Sequence, residues 1–292
     1  MPSLRRALAL SLVPLALTVA ACGDDDEETG SSAQTPATTA TAAADSCTKD
    51  SLKTFASGKL TVGTDKPAYP PYFEDDDPTN GKGFESAVAY AVAEKLGFTK
   101  DEVAWTTVPF NSSYAPGDKK FDFDLNQISI TPQRAKRVDF STPYFTAPQA
   151  VVARADSDAA KATTLAELAD KKLGVQVGTT SLDAATAQIK PTQQPQVFND
   201  SNDTVRALKT KRVDAIVVDL PTAFYLTAAE IEGGKIVGQF EAPGGDDWGL
   251  LLEKDSALTP CVNQAVEALK QEGKLDELQD QYMGGDAAPD LK

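Results

Sequence analysis

Two residues in this chain stand where their chemistry needs an explanation: an acid at the end of an apolar run, and an arginine just beyond a predicted strand. Asp219 closes the run Val213 to Val218, an unfavourable place for a lone charge unless something pairs with it. It also precedes Pro221, so capping a helix is its other reading. Arg134 follows Thr131 and Pro132, beyond the carboxyl end of a strand, where open α/β sheets place ligand sites. Its planar fork suits a carboxylate held bidentately; a surface ion pair with an acid such as Asp139 would use the same group. Thr179 and Thr180 stand at the expected start of a helix, where hydroxyls and backbone N–H groups meet an anion or simply cap the helix. The chain of 292 residues contains no histidine, so acid–base catalysis lacks its commonest agent. The acids Asp75, Asp76 and Asp77 lack EF-hand spacing, and no glycine pattern cradles a phosphate. No catalytic group, metal or cofactor is expected, and the chemistry that remains is non-covalent recognition.

Placing these residues takes alternating strands and helices. Lys59 to Thr64 is β-rich, Gly83 to Leu96 has helical spacing of Phe84, Val88, Val92 and Leu96, and Val103 to Val108 reads as a strand. Phe121 to Ile130 alternates toward a third strand. A second series follows: a strand at Ala150 to Ala153, a helix at Thr164 to Asp170, a strand at Lys172 to Val177 and a helix, capped by Thr180 or Ser181, that runs to Ile189. Val197 and Phe198 then form a weak strand, Asn202 to Lys209 a helix, and Val213 to Val218 a buried strand, after which Pro221 opens a helix. A strand at Gly249 to Leu252 and helices at Pro260 to Gln271 and Leu275 to Tyr282 complete the chain, leaving Gly284 to Lys292 as a frayed tail. The alternation predicts an α/β fold built on parallel sheets with crossover helices.

The amino terminus reads as an address. Arg5 and Arg6 precede the apolar stretch Ala7 to Ala21, and Val19, Ala20 and Ala21 lead into Cys22, the pattern of a secretory leader with a lipoprotein-type cleavage site. About 15 apolar residues fall short of the roughly 20 that span a bilayer. The resemblance to bacterial lipoproteins implies that residues 1–21 are removed and that Cys22 is lipidated, tying an extracytoplasmic protein to the membrane. Residues 22–50, acidic and then rich in Thr, Ala, Ser, Gln and Pro, read as a flexible tether reaching about 30 Å. The remaining Cys47 and Cys261 form an even pair in an exported chain, and a disulfide between them is expected; two separately buried thiols are the alternative. Closing so long a loop would contribute on the order of 4 to 5 kcal/mol in the chain-entropy model. The formal net charge of −15 excludes a nucleic-acid partner, which needs a basic surface. It reads as a solubility feature, several of the acids lying in the tether.

Five strings occur in order: GTDKPAYPPYF (Gly63 to Phe73), GFE (Gly83 to Glu85), SITPQRAKRVDFSTPYF (Ser129 to Phe145), GVQVGTTS (Gly174 to Ser181) and KRVDAIVVD (Lys211 to Asp219), closed by KQEGKLDELQDQYMG (Lys270 to Gly284). In these the chain resembles the extracellular solute-binding proteins, family 3, of polar-amino-acid importers, the bilobal family that also includes the ligand-binding domains of glutamate receptors. The resemblance implies a type II periplasmic-binding-protein-like α/β fold. Lobe 1 would comprise residues 51–146 and 243–292 and lobe 2 residues 147–242, joined by a two-crossing hinge near Ala147 and Pro243. A monomer that closes around its ligand would present that state to its transporter.

The resemblance also implies residue roles. Arg134 would hold the carboxylate of a free amino acid or close analogue, Asp219 would receive its ammonium, and Thr179 and Thr180 would add donors to the carboxylate. Tyr69 and Phe110 match aromatic walls, with ordinary packing as their other reading, and Ser129 matches a position that contacts ligand. Asp65 aligns with an acid that meets cationic side chains in relatives, though one extra residue separates it from Tyr69, so its role stays open, as does that of Glu85. Asn126 and Gln127 stand where small donors are usual, suggesting polar side-chain recognition or a narrower pocket. The implied partner is the permease of an ABC importer. A sensor role, presenting ligand to a signalling receptor, and a dehydratase-type enzyme on the same fold are the alternatives.

Overall fold

The computed structural model describes residues 47–284 and 288–292. The predicted leader, Cys22 and the predicted tether up to residue 46 lie outside the described residues. The strands in chain order are β1 (Leu60–Thr64), β2 (Val103–Thr107), β3 (Phe123–Asp124), β4 (Val138–Phe140), β5 (Phe145–Thr146), β6 (Gln149–Arg154), β7 (Leu173–Gln176), β8 (Gln196–Phe198), β9 (Ala215–Asp219), β10 (Gly234–Phe240), β11 (Asp247–Trp248) and β12 (Leu251–Glu253).

They form two lobes, each around its own sheet: β2-β1-β3-β12-β4 in the first and β10-β6-β9-β7-β8 in the second. β1 is buried along its whole length and β6 over all but its last residue, which explains why both read as continuous apolar runs. The helix Phe84–Lys95 buries Phe84, Val88 and Val92 at four-residue spacing against the first sheet's core. Gly83 before it has φ 91° and passes so close to Tyr72 and Phe73 that a Cβ would lie 2.5 Å from the Tyr72 carbonyl.

The sheets are mixed where the sequence suggested parallel pairing. β1 pairs in parallel with β2 and β3, and β7 with β8 and β9, but β12 runs antiparallel to β3 and β4, and β6 to β9 and β10. Topology explains this. β6 enters its lobe from the crossing at the end where β9 finishes, with Gln149 opposite Asp219. β12 likewise starts opposite the end of β3, with Leu251 opposite Asp124. A strand arriving from that side must run against strands whose crossover helices return them to the far end.

The two crossings are hydrogen-bonded to each other as the ribbon β5–β11, Thr146 opposite Asp247 and Phe145 opposite Trp248. Trp248 is fully buried there, its ring 4.8 Å from Phe145 and 5.6 Å from Tyr72.

Local differences from the expected elements have local causes. The third strand is cut to two residues because the chain turns away after Leu125, with Gln127 at φ 48°. The helix expected at Thr164 to Asp170 is only the turn Ala166–Leu168. The helix from Thr180 is α to Ala184 and π over Ala185–Ile189. β10 was not anticipated; Gly234 and Gly238 interrupt its apolar residues.

Two terminal segments are pinned where the sequence suggested freedom. Cys47, within the predicted tether, is bonded to Cys261 with the Cα atoms 5.3 Å apart, and Lys49 pairs with Glu102. The predicted frayed tail instead docks from Ala288 onward on the second sheet: Leu291 N–H donates to Gln239 O and Gln239 N–H to Pro289 O, both at 2.8 Å. Leu291 is buried in that lobe's core.

Candidate functional site

The lobes enclose a cavity of about 180 Å³. The first lobe contributes Asp65, Tyr69, Phe110, Asn126, Gln127 and Ser129; the second contributes Thr179, Thr180, Asp219 and Thr222, with Asp200 and Asn202 from the start of the helix Ser201–Lys209. Eight of the nine residues singled out as ligand contacts therefore share one cavity wall. Arg134, the ninth, lies beside it in an adjoining groove with Tyr114, Gln133 and Asp183; Thr180 lines both spaces.

The sequence builds each position locally. Thr131 caps the turn Pro132–Ala135 by accepting the Arg134 N–H at 3.2 Å, which orients the arginine. Its guanidinium is buried, donating from Nη1 to Ser129 O at 2.7 Å and from Nη2 to Gly178 O at 2.8 Å. It also sits 4.7 Å over the Tyr114 ring and 5.5 Å over that of Phe110. Burial lowers its pKa from the ordinary arginine value, while Tyr114 and the acids Asp246, Asp183 and Asp219 act in the opposite direction. The alternative ion pair with Asp139 is not formed: Asp139 pairs with Lys254 at 2.9 Å.

Thr179 both caps its helix, accepting the Leu182 N–H at 3.3 Å, and lines the cavity. Across the cleft, the Ser129 and Thr180 hydroxyls lie 3.1 Å apart, and the Tyr72 and Thr222 hydroxyls 2.8 Å apart.

Asp219 sits at the N-terminus of the helix Leu220–Tyr225 without a side-chain cap bond, so capping does not explain its carboxylate. It accepts instead from Gln149 Nε2 at 2.6 Å, and the same nitrogen donates to Asp246. Asp246 also accepts from Thr180 Oγ1 at 3.0 Å. Burial pushes Asp219 well above the usual carboxylate range, and the charge of Asp246 pushes the same way; the Gln149 amide and Arg134 oppose them. Asp246 is raised by burial as well, against hydrogen bonds from Ser129, Thr180 and Gln149. Among the described residues neither acid has a cation at ion-pair distance. A cation entering the cavity would oppose both upward shifts and favour the ionised form of Asp219, so the arrangement suits a positively charged group.

Sequence reasoning missed Gln149 and Asp246. A glutamine opening an otherwise apolar strand is the one signal that marked Gln149; Asp246, after two glycines, looked like part of a loop. Asp65 is engaged by its neighbours, accepting the Lys66 and Phe110 N–H groups at 2.7 and 3.1 Å. Glu85 is fully buried behind the wall and holds Gln127.

The sequence profile of the bacterial extracellular solute-binding proteins, family 3, matches residues 60–285. The arginine-binding extracellular protein ArtP of Bacillus subtilis is 29% identical over 232 residues, covering 78% of this chain and 87% of that protein. The L-cystine-binding protein TcyJ of Escherichia coli K12 is 31% identical over 235 residues, covering 78% and 84%. Among solved structures, an ancestral arginine-binding protein bound to glutamine superposes with a TM-score of 0.66 at 32% identity, covering 78% of this chain and 98% of that one. The ancestral amino-acid-binding protein AncCDT-1, a precursor of cyclohexadienyl dehydratase, does so with 0.62 at 30% identity, covering 77% and 95%.

Proposed function

The chain belongs to the bacterial extracellular solute-binding proteins, family 3, and we propose that it captures a free amino acid between its lobes for delivery to the permease of an ABC importer. The observation that carries this reading is Asp219: a half-buried carboxylate on the wall of an inter-lobe cavity, bonded to an amide rather than to a cation. An α-ammonium is the charge it is built to meet. The carboxylate of the same ligand is met by Thr179 and Thr180 in the second lobe and by Ser129 in the first, with Arg134 behind them bridging the Ser129 and Gly178 carbonyls. Grip on both ends then requires both lobes, which links occupancy to closure. Relatives named for arginine and for cystine share the head group and differ beyond it, so the head group is what this reading asserts.

The reading makes the protein a binder and not a catalyst. The acids of the site are held by Gln149 and Thr180 as recognition groups, and no histidine is available as a base. Cys22 is the proposed lipid attachment, on an extracytoplasmic monomer with lobes divided near Ala147 and Pro243. Thermal-shift screening against the common amino acids tests the central claim: a ligand at about 100 times its Kd should stabilise by about 2.7 kcal/mol. A shift with other metabolites and none with any amino acid would overturn it, as would turnover of a prephenate-like acid for the non-catalytic part.

A further inference from the structure

Glu85 is fully buried in the first turn of the helix Phe84–Lys95 and does not line the cavity. Its carboxylate accepts three bonds: the Gln127 N–H at 2.7 Å and the Tyr144 hydroxyl on Oε1, and the Gln127 side-chain amide nitrogen on Oε2. Gln127 does line the cavity, and a φ of 48° holds its backbone in the left-handed region. The ionised form of Glu85 only accepts, so in that form, as the Gln127 Nε2 bond to Oε2 shows, it holds the amide with its NH₂ end inward. Its carbonyl oxygen, which has no hydrogen bond among the described residues and is not one of their sealed-off polar atoms, is the end left for the cavity.

We propose that Glu85 is a positioning residue which, through Gln127, fixes a hydrogen-bond acceptor on the cavity wall and so selects amino acids whose side chain ends in an N–H donor. This rests on the amino-acid reading of the site. The surroundings favour the same class. Asp65 and Asp200 line the cavity alongside Gln127, and Lys66 is the one cationic side chain on that wall among the described residues. Gln127 also borders a smaller space of about 60 Å³ in which Glu230 is a further acid. A side chain running past Tyr69 toward Gln127 therefore meets acceptors. One that ends in an acceptor leaves two lone-pair groups opposed, and one that ends in a methyl leaves the fixed oxygen unpaired.

Calorimetric titration with lysine, arginine, glutamine, glutamate and norleucine tests this, lysine and norleucine differing only in the terminal ammonium. The wild type should prefer a donor-ended ligand to norleucine, and Gln127→Leu should lower that preference about 10-fold or more. Glu85→Gln, which frees the amide to turn over, should lower the preference as well. Added to Gln127→Leu it should change the preference no further, the non-additivity of a residue that acts through another. A wild-type preference for glutamate or norleucine overturns the proposal, and so does Glu85→Gln weakening all ligands equally or none. If the wild type binds amino acids but the variants keep its preference, only this inference fails; if it binds none, the amino-acid reading fails with it.

Discussion

Arg134 of the first lobe donates from Nη2 to the carbonyl of Gly178 in the second at 2.8 Å. The same guanidinium donates from Nη1 to Ser129 at 2.7 Å within its own lobe, so one planar cation spans the cleft with a separate nitrogen for each side. Two bonds in fixed, diverging directions suit arginine and do not suit the point charge of lysine. Arg134→Lys should therefore weaken amino-acid binding by about 10-fold or more, as expected when a charged group loses one of the two carbonyl bonds that link the lobes. Asp219→Asn should weaken it comparably by removing the counter-charge of the ammonium. Titration calorimetry on variants that keep their melting temperature decides the matter, and affinities within a few-fold of wild type for both would end the account of the head group.

Glu85 gives a test by pH that does not depend on ligand. Burial pushes its carboxyl from 4.5 up to about 7, against the hydrogen bonds from Tyr144 and Gln127 that favour the ionised form. Between these values the folded chain keeps a proton that the unfolded chain has released, so this contribution is full below 4.5 and is lost as pH rises to about 7. Its size is on the order of 3 kcal/mol. Urea unfolding should show wild-type stability falling from about pH 5 to 7 relative to Glu85→Gln, whose amide does not titrate. Parallel pH profiles for the two proteins would show that Glu85 has no such proton to hold.

Much of this was readable from residues alone, and the unread parts share a cause. β1, β6 and β9 announced themselves because burial on both faces demands unbroken apolar runs, and the helix Phe84–Lys95 because its apolar stripe repeats at four. β10 was missed because Gly238 has a structural duty instead of a propensity: a Cβ there would lie 2.5 Å from Pro289 O. In the site, Asp219 and Thr180 were visible through local anomalies, a charge ending an apolar strand and a threonine at a helix start. Gln149 and Asp246 are joined to them by bonds spanning 70 and 66 residues of chain, and no local pattern encodes that meeting. Arg134 was identified by its place after the strand, yet its position beside the cavity rather than in its wall follows from stacking on Tyr114, which spacing cannot show.

The Cys47–Cys261 bond joins residues 214 apart, tying the first described residue to the helix Thr259–Gln271 of the first lobe. Loop-closure entropy for such a span is worth about 5 kcal/mol in the unfolded chain. Neither cysteine lines the inter-lobe cavity. Cys47→Ser with Cys261→Ser should therefore lower the melting temperature by about 10 °C or more while leaving ligand affinity within a few-fold. Calorimetric scanning reads the first effect and titration the second; an unchanged melting temperature would show the bond to be dispensable to the fold.

The carboxyl-terminal segment makes the remaining prediction. The helix Lys274–Tyr282 packs on the first lobe's core through Leu275 and Leu278, whereas Leu291 is buried in the second. The segment from Ala288 is bonded to Gln239 on β10, and its last residue accepts the Leu165 N–H at 3.1 Å. The chain thus ties the lobes together a third time, beyond the two crossings at β5 and β11. Leu291→Ala should cost about 2 to 4 kcal/mol by emptying its place in the second core. Gly238→Ala should cost a similar amount by a different route, since its Cβ would occupy the space of the Pro289 carbonyl and push the segment off. If Gly238→Ala acts by undocking the segment, then in a chain ending at Gly284 its penalty should shrink to the small cost of alanine on an edge strand. Chemical denaturation of the full chain, its two variants, the shortened chain and the shortened chain with Gly238→Ala measures this. Retention of the full Gly238→Ala penalty in the shortened chain would show that the strain lies within β10 and not against the segment docked on it.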